Sequence, residues 1–113
     1  MSGYKMDRIA GDFKRELAEI LREVKDPRVS NLLSIIKVDV TGDLSYATIY
    51  VSAIEGSEAT AESIKGLRSA NGYIRREIGR KLQLRKVPEL RFIADDSIAH
   101  SAHISDIIDS FSE

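Results

Sequence analysis

The sequence predicts an α+β domain in the order helix, strand, strand, helix, kinked helix, strand, with the helices packed on one face of a three-stranded sheet. Two patterns carry this expectation: apolar residues recur every three or four positions in some stretches and alternate with polar ones in others. Composition is the third. Of 113 residues, 42% are hydrophobic and 31% charged, enough for the packed core of one domain and unlike a disordered chain.

The first helix is read from Met6, Ile9, Ala10, Phe13, Leu17, Ile20, Leu21 and Val24, which form one apolar stripe that Pro27 ends. Its other face alternates in charge sign from Lys5 to Glu23 and reads as plain solvated surface. In "SIIKVDVTGDLSYATIYVS", Ile36, Val38 and Val40 alternate with Lys37 and Asp39, and Ala47, Ile49 and Val51 with Thr48 and Tyr50. Joined by the short polar "TGDLS", these runs predict an antiparallel hairpin with one buried face. Tyr46 and Tyr50 then lie on the exposed face, where cross-strand packing is the expected role and stacking on bases the other reading.

Ser57 is the expected cap of the next helix, with Glu58 and Glu62 near its positive end. Ala61, Ile64, Leu67, Ala70, Ile74, Ile78 and Leu82 follow without missing a turn, yet Asn71 and Gly72 are poor residues for a helix interior. We therefore expect two helices meeting at a kink, the second beginning just after Gly72. Pro88 precedes "ELRFIA", a short strand with Leu90 and Phe92 on one side. Residues 1–95 are expected to form the domain and 96–113 an acidic, partly helical tail capped by Asp95 or Asp96.

Charge is unevenly placed. Between residues 65 and 86, Lys65, Arg68, Arg75, Arg76, Arg80, Lys81, Arg85 and Lys86 face only Glu77, a local charge of +7 in a chain whose net charge is −1. On a helical wheel Ile74, Ile78 and Leu82 cluster on one side, while Tyr73, Arg76 and Arg80 project from the other with Arg75, Lys81 and Lys86 on the flanks. Like charges so concentrated are tolerated when an anionic partner neutralises them, and arginine suits bidentate phosphate contacts. The segment points to nucleic-acid binding.

Other chemistries find little support. With no cysteine there is no disulfide, thiolate metal site or cysteine nucleophile, and a reducing compartment is expected. No apolar run approaches the ~20 residues that span a bilayer. His100 and His103, four and seven residues after Asp96, are a weak metal-site signal, and no phosphate loop or catalytic triad is present. Neither enzyme activity nor a cofactor or metal is expected.

Several blocks together resemble the ribosome-binding factor A family, over nearly the whole chain: "KDPRV" with the hairpin, "LRSANGYIRREIGRKLQLRKVPELRF", and "DDSIAHSAHISDII". The resemblance implies a type II KH-like fold in which an Ala-x-Gly kink, here Ala70, Asn71 and Gly72, replaces the GxxG loop by which KH domains clamp single strands. It also implies a monomeric, cytoplasmic protein that binds the small ribosomal subunit and its 16S rRNA during late maturation, with a role in rRNA processing and growth in the cold. A generic single-stranded nucleic-acid-binding module is the alternative function, and a protein-docking module working through the tail or first helix is a third.

Overall fold

The computed structural model describes residues 2–95. Its elements are α1 (Ser2–Glu23), β1 (Leu33–Val40), β2 (Tyr46–Ala53), α2 (Ser57–Ser69), α3 (Asn71–Lys81) and β3 (Glu89–Ala94), the order expected from the sequence. The tail, its capping by Asp95 or Asp96, and the histidine pair all fall wholly or partly beyond the described residues.

α1 begins four residues before Met6 and buries Phe13, Leu17, Ile20 and Leu21. The sheet has the order β1-β2-β3. β1 and β2 are antiparallel, and β3 returns parallel to β2 after the chain has crossed one face as α2 and α3. From that face Ile64, Leu67, Ile74 and Ile78 meet Ala47, Ile49, Val51, Leu90 and Phe92, and with α1 they form one core. Among the described residues, the opposite face of the sheet carries no helix.

The hairpin departs from the expected alternation at one residue. Ile35 pairs with Val51 but Lys37 pairs with Tyr50, so Ile36 is an extra residue in a β-bulge. Because side chains alternate with a period of two, the bulge switches phase: Leu33 and Ile35 pack against the core before it, Val38 and Val40 after it. Ile36, expected inside, is instead 38% exposed. In the turn, Thr41 Oγ1 accepts from the Ser45 and Tyr46 N–H groups (3.1 and 3.0 Å) and donates to Asp43 Oδ1 (2.9 Å). These bonds hold Leu44 at a φ of 59°.

On the face turned away from α2 and α3, Arg91 lies 4.0 Å from the ring centroid of Tyr46, and Lys37 lies 5.7 Å from that of its cross-strand partner Tyr50. Cations therefore cover both rings, the packing role of the two readings.

Ser57 is not the cap of α2. Gly56 occupies that position with φ 122°, a conformation open to glycine that turns the chain from β2 into the helix, and Ser57 is already helical. The buried Thr60 fastens this turn, its Oγ1 donating to Gly56 O (2.9 Å) and accepting from the Ala53 N–H (2.9 Å). Of the two acids, Glu58 lies in the first turn, whereas Glu62 pairs with Lys65 at 3.1 Å.

The "KDPRV" loop ties α1 to α2. Asp26 accepts from Arg28 Nη2 (2.8 Å), Arg28 Nε (3.0 Å) and the Arg28 backbone N–H (2.9 Å). Arg28 also donates to Ser69 Oγ (3.0 Å), and the buried Ser63 Oγ accepts from the Ser30 N–H (2.9 Å). The loop packs so tightly on α2 that a Cβ at Gly66 would sit 2.6 Å from Val29 Cγ2.

Candidate nucleic-acid interface

The continuous apolar row of the sequence becomes two helices, but the break lies earlier than expected. Ala70 leaves helical geometry (φ −91°, ψ 7°) and serves as both the end of α2 and the start of α3. Asn71 and Gly72 are thus the first residues of α3 rather than a gap before it. The periodic core placed the break at the wrong residue because both helices continue the same apolar face across it. Gly72 has no positive φ, and a Cβ there would meet nothing within 4 Å. The fold does not require its glycine. Asn71 Oδ1 is buried with no hydrogen-bond partner among the described residues.

α3 fixes the disposition of the basic strip. Ile74 and Ile78 are fully buried, which aims Arg76 and Arg80 away from the core. Arg75, one residue from Arg76, is turned inward. Its Nη2 and Nε donate to the carbonyls of Val87 (2.9 Å) and Pro88 (3.2 Å), clamping α3 to the segment that enters β3. Beside this clamp Gly79 lets Val87 approach, since a Cβ at 79 would lie 2.6 Å from Val87 Cγ2.

Apart from Arg75, the nine basic and aromatic candidates fall into two groups. Lys65 pairs with Glu62, Arg80 with Glu77 (2.8 Å) and Lys81 with Glu19 (3.7 Å), while Lys86 donates to Ser45 Oγ (3.2 Å). Tyr73 donates its hydroxyl to Glu23 Oε2 at 3.1 Å. The hydrogen bond from Arg80 holds the Glu77 carboxyl below its ordinary range, and the Glu23 carboxylate pushes the Tyr73 phenol up. Arg68, Arg76 and Arg85 make no ion pair or hydrogen bond among the described residues and are exposed. These three guanidinium groups are the ones open to an incoming anion.

Two features escaped the sequence. The alternating face of α1 is not only solvated surface: Glu19 and Glu23 reach α3 and dilute its positive charge. Helical spacing within α1 gives no sign of this, because the contact depends on how α1 and α3 cross. The second feature is a cleft of about 400 Å³ at the break, lined by Glu23, Lys25, Asp26, Ser69, Ala70 and Tyr73 among others. It brings Lys25 and Ser69, the partner of Arg28, to the kink at the start of α3. Among the described residues no group of acids and histidines is placed to hold a metal ion, and no helix is long and apolar enough to cross a membrane.

Fold and face together define a small α+β domain of KH-like element order whose kinked helix pair carries arginines with no partner among the described residues. The ribosome-binding factor A family matches residues 5–108, and the chain belongs to that family. A ribosome-binding factor A from Acetivibrio thermocellus is 49% identical over 109 residues, covering 96% of this chain and 89% of that one. The solution structure of a Thermotoga maritima ribosome-binding factor A homologue superposes with a TM-score of 0.73 at 30% identity, over 80% of this chain and 86% of that one. A homology model of the Thermus thermophilus ribosome-binding factor A, fitted into the cryo-EM map of its complex with the 30S subunit, has a TM-score of 0.65 at 28% identity, over 77% of this chain and 91% of that one.

Proposed function

We propose that this chain binds the small ribosomal subunit late in its maturation and contacts 16S rRNA through the outer face of α3 and the adjoining kink. The observation that carries this reading is the set of exposed arginines Arg68, Arg76 and Arg85, unpaired among the described residues, on and beside a helix whose other side is locked into the core. Arg80 and Lys81, held only by surface ion pairs, exchange those partners for phosphate at little cost. Lys65, Tyr73 and Lys86 complete the contact surface, and Arg75 supports it from behind. Residues 1–95 are the binding domain, a monomer in the cytoplasm, and 96–113 an accessory tail. The action is binding, with no chemical step, and it matters most for growth in the cold.

The complex of the Thermus thermophilus relative with the 30S subunit supports this reading. The test is co-sedimentation of Arg76→Glu/Arg80→Glu with immature small subunits. Loss of binding by a folded variant is expected, together with a steep salt dependence for the unsubstituted chain. Unchanged co-sedimentation would overturn the proposal. Equal affinity for ribosomal and unrelated single-stranded RNA would favour the generic module, against which stands the absence of a GxxG loop at the break.

A further inference from the structure

A second depression lies away from the basic helix, with no residue of α3 in its lining. It is a groove of about 760 Å³ between α1 and the β1 edge of the sheet. Three large apolar side chains on its rim are exposed: Leu32 (57%), Ile36 (38%) and Ile54 (81%). Ile36 is there because the β-bulge turns it out of the core. Two cations, Lys14 and Arg22, also line the groove. An apolar rim with positive charge beside it calls for an apolar, acidic occupant.

We infer that this groove is the docking site of the chain's own C-terminal segment, residues 96–113. That segment carries Ile98, Ile104, Ile107, Ile108 and Phe111 with Asp96, Asp106, Asp109 and Glu113, and it has neither lysine nor arginine. It also starts in the right place. The Asp95 N–H donates to Val51 O (2.8 Å), and Ile54 follows Val51 by three residues, roughly 10 Å along the chain at ~3.3 Å per residue. Crossing from β3 past β2 to β1 spans two strand spacings, again roughly 10 Å, and 18 residues extend to as much as ~60 Å. A second copy of the chain pairing along the β1 edge is the competing occupant. The bulge interrupts that edge, and Lys14 Nζ donates to the Ile36 carbonyl (3.5 Å), so the strand offers a poor template for sheet extension.

The absence of cysteine makes the test clean. In the full chain, Ile54→Cys/Ile104→Cys places one thiol on the exposed rim and one in the segment. Asp39→Cys/Ile104→Cys and Arg76→Cys/Ile104→Cys serve as comparisons on the open sheet face and the basic helix. The groove pair is expected to form an intramolecular disulfide several-fold faster than either comparison, at a rate independent of protein concentration. Adding Lys14→Glu/Arg22→Glu should slow it several-fold at low salt. Equal rates for the three pairs, fastest closure at Arg76, or disulfides formed only between chains would each overturn the assignment. Because position 54 is exposed, loss of the fold is not an expected outcome, and circular dichroism of the reduced variants checks it.

Discussion

Tyr73 donates its hydroxyl to Glu23 across 3.1 Å, joining the outer face of α3 to the last residue of α1. The contact places a carboxylate at the cleft beside the kink, where an rRNA phosphate would meet repulsion. Glu23→Gln removes that charge while keeping an acceptor. Binding to the small subunit should tighten about twofold to fivefold at low salt, the scale of one surface charge interaction. The Tyr73 phenol should fall back toward its ordinary value, since Glu23 is what raises it. Ultraviolet titration, compared with the same titration of Tyr73→Phe, reads the second effect.

Adjacent arginines should separate stability from binding. Arg75→Ala deletes two charge-assisted hydrogen bonds to the carbonyls of Val87 and Pro88 and should lower stability by about 1–3 kcal/mol. Arg76→Ala removes an exposed, unpaired group, so stability should stay within about 0.5 kcal/mol. Subunit affinity should fall instead, and the log–log salt slope should shrink by about one unit. Urea denaturation and binding across a salt series distinguish the two, and a stability loss at Arg76 equal to that at Arg75 would contradict the geometry.

Glycines in α3 should respond in opposite senses. A methyl group at Gly79 meets Val87 Cγ2, so Gly79→Ala should cost about 1–3 kcal/mol through overpacking. At Gly72 there is open space, and Gly72→Ala should raise stability by up to about 1 kcal/mol. Gly72→Val should also fold, yet under the proposed RNA contact it should weaken subunit binding beyond any change in stability, because its side chain would cover the bare backbone at the start of α3. Normal binding by folded Gly72→Val would remove the kink from the contact surface.

Acid should weaken the loop that follows α1 and the turn of the hairpin. Asp26 is lowered to about 2 by the side-chain hydrogen bond with Arg28 and then by the Arg28 backbone N–H. Asp43 is lowered to about 2 by its hydrogen bonds with Ser45 and Thr41. A carboxyl depressed in the folded state adds stability above its unfolded pKa of ~3.9 and loses it as pH falls from about 5 toward 2. Thermal midpoints should drop across that window, and the drop should be smaller in Asp26→Asn and Asp43→Asn.

Element order and most of the core were legible because they rest on periodicity: Phe13, Leu17, Ile49, Leu67, Ile74 and Phe92 are all buried as their spacing requires. Periodicity is blind to a single inserted residue, which is why Ile36 reads as core from the sequence and stands outside in the fold. It is equally blind to φ, so Ser57 reads as the cap where the sharp turn needs Gly56. In the candidate site the basic residues were visible as composition, but which of them are free was not. That depends on acids such as Glu19, more than fifty residues away in sequence and delivered by the packing of α1 on α3.

The parallel pairing of β3 with β2 also sets an order of events during synthesis. The hairpin closes over a short turn, so β1 and β2 can pair early, whereas β3 must return across both intervening helices. Until residue 94 has been made, one flank of the central strand stays open and Ile49 and Val51 lack their cover from Leu90 and Phe92. The nascent chain thus gains its third strand only after both helices have been made, and a ribosome pausing before that point holds an incomplete sheet exposed to whatever binds unpaired strands.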